Sequence, residues 1–402
     1  MISVDEALAI ILERVQPLPA MRVDVGAAAL GLVLTEAAVC DLDSPPFAKA
    51  MMDGYAVRSG EGAERVVIEE VLAGQVPRKI VGPGQATHIM TGAPMPAGAD
   101  AVVMVERTEL LADGRVRILD EPASGKNVLA QGAEMKAGET IFDAGVRLRP
   151  EVVGVLAGMG KSQVKAHPRP TIAVVPTGDE IVEVWEKPGP GQIRNSNGRM
   201  LLAQAARAGG APRALGIARD NEPQLRALIS EALEFDVVVL SGGVSAGKVD
   251  LVPAVLASLG VEALVHKVRM KPGKPMYFGI KACDGKPPTL VFGLPGNPVS
   301  SYVCFELFAR PALRKAMGLP PRAFWVKAAL AADATYKTDR PTYHPARLEL
   351  VANGWTVRAV PWLGSPDLRG VTAGNALMLF PEGEGVHRAG DTIDVLLVDE
   401  LL

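Results

Sequence analysis

The sequence has few cysteines, and their arrangement indicates neither a disulfide framework nor a metal site. Its 402 residues contain three cysteines and five histidines. Cys40, Cys283 and Cys304 lie far apart and form no CxxC pair, and the histidines show no metal-ligand spacing. We therefore expect a protein of a reducing compartment, the cytoplasm.

A strong excess of charge and long hydrophobic runs are also absent from the sequence. The net charge is −3 and the sequence pI is about 6.1, so there is no overall basic field to hold nucleic acid or an anionic membrane. No uninterrupted apolar run reaches transmembrane length. Asp5, Glu6 and Glu13 make the N-terminus too acidic for a signal peptide. We expect no nucleic-acid or membrane partner, and an anionic ligand would require a local cluster of cations.

The N-terminal part of the chain predicts one helix and a β-rich region. Ser3 and Glu6 have the spacing of a capping box, and the apolar residues that follow share one helical face. Short apolar runs separated by Gly and Pro predict a small β-rich domain over residues 46–138. Residues 1–45 and 139–168 are predicted to form a discontinuous N-terminal or linker domain.

The sequence pattern changes near residue 169. Buried apolar runs alternate with helical segments from TIAVV through DVVVL to TLVFGLPG. This alternation predicts an α/β domain with a doubly wound, mainly parallel sheet over residues 169–318, and ligands bind such sheets at the carboxyl ends of the strands. Residues 319–402 predict a second β-rich, barrel-like domain. The predicted fold class is therefore a multidomain α/β protein.

The stretch DVVVLSGGVSAGKVD, residues 236–250, fits the spacing of a phosphate-binding loop. Gly242 to Lys248 matches G-x-x-x-x-G-K. That motif requires Ser or Thr after the Lys, because the hydroxyl holds magnesium. Val249 stands there instead and has no ligand atom, so a nucleotidase is the weaker interpretation.

The same stretch contains GVSAG, which fits the G-x-S-x-G elbow of serine hydrolases. Two residues separate the predicted strand from this pentapeptide, and the next helical pattern begins only near Asp250. A triad would also need a histidine such as His344 or His387, both in the tail. A serine hydrolase with Ser245 as its nucleophile stays an alternative.

The residues of this loop also favour anion binding without either motif. Gly242 and Gly243 let backbone N–H groups approach a ligand closely. Ser241 and Ser245 add hydroxyl donors, and the following helix directs its positive N-terminus towards an anion. Asp250 either caps that helix or holds Mg²⁺ against a phosphate.

Two further loops are predicted at the same edge of the sheet. PTGDE follows TIAVV, and its Asp179 and Glu180 either form a turn and a cap or bind a metal or a hydroxylated ligand. GLPGNPVSS places Asn297 and Pro298 at a rigid helix start, which either caps the helix or belongs to a ligand-binding loop.

A basic segment, HKVRMKPGKPMYFG, completes the predicted edge. An extended backbone over residues 265–271 would place Lys267, Arg269 and Lys271 on one strand face, with Lys274 close by. The segment is either a solvated basic edge or an anion site, and an anion would relieve the repulsion between the cations.

Seven motifs now follow one another in an order that resembles a known family. They are MMDGYAV (51–57), IMTGAPMPAGADAVVMVE (89–106), PTGDEIV (176–182), IRNSNGRML (193–201), SGGVSAGKVD (241–250), MKPGKPMYFG (270–279) and GLPGNPVSS (293–301). The chain resembles the molybdopterin molybdenumtransferases of the MoeA type, which are similar to the E domain of gephyrin.

The resemblance implies an elongated homodimer of four-domain chains with a MogA-like sheet domain. It implies insertion of molybdate into the dithiolene of adenylylated molybdopterin, with release of AMP and Mg²⁺ as cofactor. It also implies a site between the sheet domain of one subunit and the β-rich domain of the other, and contact with the molybdopterin adenylyltransferase. A pterin-binding scaffold without catalysis stays an alternative.

The resemblance further implies which residues form the site. Asp53, Glu180 and Asp250 are the expected catalytic and metal-binding acids, and Lys271 is the expected catalytic cation. The expected substrate-binding residues are Thr91, Asp220, Ser241, Gly242, Gly243, Ser245, Lys267, Lys274, Pro295, Pro298, Arg347 and Ser365.

The sequence departs from the family pattern at two places. Gly132, Ala133 and Glu134 stand where the family commonly has G-E-D after an Arg-rich approach, and the local arginines are missing. Lys248 stands where an acid is often found, which adds positive charge to its loop.

Overall fold

The computed structural model describes residues 1–243, 251–321 and 324–398. The chain divides into two compact units. The sheet-and-barrel unit comprises Met1–Arg22, Gly31–Thr35 and Lys165–Leu402, and the β-rich unit comprises Val23–Leu30 and Glu36–Val164. The first helix therefore belongs to the sheet-and-barrel unit, while the four predicted domain boundaries stay a prediction.

Four of the described helices begin at a residue whose side chain caps them: Ser3, Asn195, Asn221 and Asp367. The predicted capping box is confirmed: the Glu6 N–H donates to the Ser3 hydroxyl, and the Ser3 N–H donates to the Glu6 carboxylate. Within the described ranges, no helix is both long and apolar enough to cross a bilayer. The helices are α1 (Val4–Arg14), α2 (Pro150–Gly158), α3 (Ser196–Arg207), α4 (Glu222–Ala232), α5 (Val252–Ser258), α6 (Pro298–Cys304), α7 (Arg310–Ala316) and α8 (Leu368–Val371).

The strands fall into two groups along the chain. The first thirteen are β1 (Met21–Asp24), β2 (Val33–Leu34), β3 (Ala38–Val39), β4 (Lys49–Ala50), β5 (Gly54–Val57), β6 (Glu64–Val71), β7 (Gln85–Ile89), β8 (Ala101–Met104), β9 (Thr108–Leu110), β10 (Arg115–Ile118), β11 (Val128–Leu129), β12 (Thr140–Phe142) and β13 (Gln163–His167). The others are β14 (Thr171–Pro176), β15 (Ile181–Val182), β16 (Ile193–Arg194), β17 (Ala211–Ala214), β18 (Val237–Ser241), β19 (Val261–His266), β20 (Tyr277–Lys281), β21 (Thr289–Leu294), β22 (Trp325–Leu330), β23 (Ala334–Thr338), β24 (Thr342–Val351), β25 (Gly354–Ala359), β26 (Ala376–Phe380), β27 (Gly383–His387) and β28 (Thr392–Leu397).

The six-stranded sheet of the sheet-and-barrel unit has the order β17-β14-β18-β21-β20-β19. Strands β17, β14, β18 and β21 pair in parallel, and β20 runs antiparallel to both of its neighbours. The prediction of a mainly parallel sheet is therefore confirmed.

Both faces of this sheet are covered by helices, as a doubly wound fold requires. Ile172 and Val174 of β14 pack in one core with residues of α1, α3 and α6. Ala173 and Val175 point the other way and pack with residues of α4 and α5. Because successive strand residues alternate in direction, an uninterrupted apolar run fills both cores, and each fully buried Val or Ile contributes roughly 1.5–3 kcal/mol.

A π-helical turn precedes Pro311. Helix α6 ends at Cys304, a π-helical turn spans Phe305–Ala309, and α7 begins at Arg310. The backbone stays helical through this turn, and Pro311 lies just after it, where its ring nitrogen has no N–H to donate to the preceding turn.

The tail forms a closed barrel with the order β22-β25-β24-β26-β28. Its interior contains buried side chains such as Leu348, Val357 and Val395. The β-rich unit has its own six-stranded sheet, with the order β8-β5-β7-β6-β10-β9. The two predicted β-rich regions are therefore both present.

Candidate functional site

Three parallel strands of the large sheet end side by side and open into one cavity. Pro176 of β14 pairs with Ser241 of β18, which in turn pairs with Leu294 of β21. The cavity beyond these ends has a volume of about 730 Å³, and we call it the strand-end cavity. The predicted site residues that line it are Glu180, Asp220, Ser241, Gly242, Gly243, Pro295 and Pro298.

Glycine is required on the floor of the strand-end cavity. The φ angles are +98° at Gly242 and +63° at Gly243, in the left-handed region that side chains disfavour. A Cβ on Gly242 would also lie 2.5 Å from the carbonyl oxygen of Thr177. The two glycines therefore let the backbone of this loop lie directly against the loop after β14.

Asn197, which the sequence analysis did not single out, connects the loops around this cavity. Its side-chain nitrogen donates to the Ser241 hydroxyl over 2.9 Å and to the Gly296 carbonyl over 2.7 Å. Asn195 already caps α3, because its side chain accepts from the N–H of Gly198. The sequence contains one signal for this role. Asn195 is enough to cap the helix, so the nearby Asn197 is free for another function.

Two acidic side chains line the strand-end cavity. Glu180 and Asp220 line it and are exposed. The Asp220 N–H donates to the Asp179 carboxylate over 3.1 Å, and the Arg219 guanidinium donates to the carbonyl oxygens of Gly178, Asp179 and Ile181. These bonds set the two loops in place. Over the described residues, no cluster of three or more His, Cys, Asp or Glu side chains could hold a metal ion.

A second cavity adjoins the first and contains cations. Its volume is about 520 Å³, and it shares Pro275 with the strand-end cavity. We call it the basic cavity. Its polar lining includes Lys271, Lys274, Arg340, Trp362, Ser300 and Ser365.

The predicted extended geometry of the basic segment is wrong. Strand β19 ends at His266, and Lys267 has a φ of +71°. The Met270 N–H then donates to the carbonyl of Val268, as in a tight turn. Arg269 pairs with Glu382 over 2.5 Å. Because the chain turns at Lys267, neither Lys267 nor Arg269 is among the residues that line the two cavities, whereas Lys271 and Lys274 line the basic cavity.

The structure places Arg340, and not the predicted Arg347, beside these lysines. Arg347 is exposed on β24 and lies 3.5 Å from Glu349. The Lys271 N–H donates to the carbonyl of Pro341, and the Tyr343 N–H donates to the carbonyl of Lys271. This backbone pairing joins the basic segment to the start of β24 and brings Arg340 to the cavity.

Asp53 and Thr91 lie in the β-rich unit and bond to each other. The backbone N–H and the hydroxyl of Thr91 both donate to the same Asp53 oxygen, each over 2.7 Å. These donors, the backbone N–H first, hold the pKa of the Asp53 carboxyl below its usual value. Ser245 and Asp250, the other predicted site residues, lie outside the described residues.

Thr91→Val should shift the titration of Asp53 to higher pH. The valine keeps the backbone donor and removes the hydroxyl, so the carboxylate loses part of what stabilises its charged form and the pKa rises towards the usual value. NMR titration of the Asp53 carboxyl measures this directly. Thr108→Val, whose hydroxyl bonds to the carbonyl of Val105, is the control and should leave the Asp53 pKa unchanged. An unaltered titration in Thr91→Val would contradict the assignment.

Three family models match the chain in succession. The MoeA N-terminal region (domain I and II) matches residues 2–160, the "Probable molybdopterin binding domain" matches residues 173–315, and the MoeA C-terminal region (domain IV) matches residues 327–398. A molybdopterin molybdenumtransferase of Staphylococcus epidermidis is 34% identical over 410 residues, with 99% of this chain and 96% of the relative covered. The chain belongs to the molybdopterin molybdenumtransferase family.

Other relatives of the family agree with this placement. The molybdopterin molybdenumtransferase of Staphylococcus aureus is 34% identical over 411 residues, with the same coverage of 99% and 96%. A crystal structure of the molybdopterin biosynthesis MoeA protein of Pyrococcus horikoshii has a TM-score of 0.81 and 31% identity, with both chains covered completely. The expected family and multidomain fold are therefore confirmed, and the chain is a transferase of molybdenum cofactor biosynthesis.

Proposed function

We propose that this family member inserts molybdate into the dithiolene of adenylylated molybdopterin and releases AMP in a Mg²⁺-dependent step. One observation carries the proposal: the strand-end cavity, with its two carboxylates, adjoins the basic cavity, with its three cations, at Pro275. The pair of cavities has room for an extended, multiply charged ligand beside an oxyanion.

The charges of the two cavities suit a reaction that must bring two anionic groups together. Molybdate and the phosphoanhydride are both anionic, and two unit charges 4 Å apart repel by about 4 kcal/mol at an effective dielectric of 20. Lys271, Lys274 and Arg340 would hold the molybdate and offset that repulsion. No Ser or Cys nucleophile is required for the transfer.

The residues of the strand-end cavity fit a magnesium ion. Mg²⁺ in proteins is usually held by one or two carboxylates together with substrate phosphates. Glu180 and Asp220 are the described residues that would hold it here, and Asp250 is a further predicted ligand. When bound, the ion supplies charge neutralisation at the departing AMP phosphate. The carboxylates then serve to fix the ion and the phosphate beside the cations.

We further propose a cytoplasmic homodimer in which Asp53 of the partner subunit completes each site. The family resemblance supports a site shared between subunits. Asp53 is exposed and held ionised by Thr91, as a metal or substrate ligand requires. The three cysteines are free thiols, which agrees with a reducing compartment. Transfer of the adenylylated substrate from the adenylyltransferase would require contact with that enzyme.

Mixed dimers test the reaction and the shared site together. Purified protein is given adenylylated molybdopterin, molybdate and Mg²⁺, and AMP release and pterin-bound molybdenum are measured. Asp53→Ala and Lys271→Ala should each be nearly inactive. Mixed and re-associated in equal amounts, they should regain about a quarter of wild-type activity, because half of the dimers are mixed and each then has one intact site of two.

The outcomes separate the alternatives. Wild-type binding of the pterin without AMP release or molybdenum insertion would show a scaffold and refute the proposed reaction. Turnover by the wild type with no recovery in the mixture would refute the shared site alone. Covalent labelling of Ser245 by a fluorophosphonate would instead support a serine hydrolase.

A further inference from the structure

Two residues that line the strand-end cavity each have one buried polar atom with no hydrogen-bond partner among the described residues. These atoms are the hydroxyl oxygen of Thr177 and the side-chain oxygen of Asn197. Thr177 is only 2% exposed. A buried polar atom left without a partner costs roughly 1–3 kcal/mol, so such an atom on a cavity-lining residue would gain from a ligand that donates a hydrogen bond to it.

The side-chain oxygen of Asn197 can serve only as an acceptor, in one fixed direction. The amide nitrogen uses one hydrogen for the Ser241 hydroxyl and the other for the Gly296 carbonyl. A rotation of the amide by 180° would place its oxygen against the Gly296 carbonyl oxygen, where no hydrogen bond can form, so the observed orientation is the favoured one. The three loops around the cavity therefore hold the oxygen in place before any ligand binds.

The Asn197 oxygen is a hydrogen-bond acceptor, so it favours a part of the ligand that donates hydrogen bonds. Phosphate and molybdate carry no hydrogen-bond donor when fully ionised, so they gain nothing from the Asn197 oxygen. The nearby carboxylates Glu180 and Asp220 also oppose a bare anion. The cations lie in the adjoining basic cavity, on Lys271 and Lys274. A ligand that spans both cavities is thereby oriented with its donors over Asn197 and its anionic end towards the lysines.

We propose that Asn197 is a specificity-determining residue whose side-chain oxygen accepts a hydrogen bond from the neutral part of the substrate. The donor is a heterocyclic N–H or a ribose O–H. This inference deepens the proposed function, since it assumes that the strand-end cavity holds the nucleotide-linked pterin.

Calorimetric titrations of the full-length protein test the assignment. The probes are pterin, adenosine and inorganic phosphate, together with analogues whose donors are blocked: pterins methylated at N2 or N3, N6,N6-dimethyladenosine and 2′,3′-dideoxyadenosine. The proteins are the wild type, Asn197→Ala and Asn353→Ala. Asn353 is an exposed asparagine in the turn between β24 and β25 and is the matched control.

We expect Asn197→Ala to bind pterin, adenosine or both about tenfold more weakly, as the loss of one hydrogen bond predicts. The wild type should bind one blocked analogue of that ligand about tenfold more weakly than its parent, and Asn197→Ala should show no further loss for that analogue. The analogue affected identifies the donor. Phosphate binding should change less than twofold, and Asn353→Ala should match the wild type throughout.

Three results would overturn the inference. An equal loss of phosphate and heterocycle binding would show that Asn197 only supports the loops. An equal affinity of the wild type for every blocked analogue and its parent would show that the oxygen is not used, and this comparison decides the matter even when Asn197→Ala fails to fold. A wild type that binds neither pterin nor adenosine would contradict it as well. Loss of molybdenum insertion with the binding pattern intact would refute the proposed reaction and leave this inference standing.

Discussion

Gly54→Ala should destabilise the β-rich unit by about 3 kcal/mol or more. Gly54 lies in the buried strand β5, between β7 and β8, and a Cβ there would overlap the backbone carbonyl oxygen of Val103 in the adjacent strand. The overlap involves main chain on both sides, so no side-chain rotation relieves it. The sheet must separate locally, and its hydrogen bonds weaken.

Chemical denaturation of the two matched glycine variants measures this effect. Gly154 is exposed in α2 of the same unit, and no atom lies within 4 Å of a Cβ built on it. Gly154→Ala should therefore leave the free energy of unfolding unchanged or raise it by about 0.5–1 kcal/mol, because alanine favours the helix. A loss below about 1 kcal/mol in Gly54→Ala would contradict the close approach of β5 and β8.

Arg340→Gln should weaken molybdate binding by about 10- to 150-fold. Each charge-assisted hydrogen bond to the oxyanion contributes about 1.5–3 kcal/mol, and glutamine is shorter than arginine and removes its charge and its guanidinium donors. Arg340 lines the basic cavity with Lys271, Lys274 and Ser365. The affinity for molybdate and the molybdate dependence of AMP release both measure the change.

Arg347→Gln is the control that distinguishes the structural assignment from the sequence-based one. Arg347 is exposed and its pairing with Glu349 is a surface ion pair, which contributes about 0–1 kcal/mol to stability. Its substitution should change molybdate affinity less than twofold. The reverse pattern, with Arg347 sensitive and Arg340 silent, would refute the assignment of the basic cavity.

Much of the fold could be predicted because its signals are local. The capping box of Ser3 and Glu6 and the alternation of apolar runs with helices each depend on neighbouring residues alone. The strand-end loops could also be predicted to meet, since the carboxyl ends of parallel strands lie at one edge of a sheet. The strand-end cavity brings seven predicted site residues together in this way.

The errors arose where a long-range contact overrides a local pattern. Regular alternation placed Lys267, Arg269 and Lys271 on one face, but the turn at Lys267 and the pairing of Arg269 with Glu382 separate them. Asn197 was not among the predicted site residues, because its partners Ser241 and Gly296 lie 44 and 99 residues away. The residues next to Asn197 in the sequence do not indicate either partner.

The sequence by itself determined the elements, the layers of the α/β domain, the edge where the strands end and the family of the protein. Hydrophobic periodicity and helix caps indicate the elements within short segments of chain, and the order of the motifs indicates the family. Only the tertiary structure decided which cations surround the basic cavity and which amide joins the loops around the strand-end cavity. Those choices depend on the bonds between Lys271 and residues 341–343 and on the bonds of Asn197 to two distant loops, because a side chain's position is set by the backbone pairing of segments far apart in the chain.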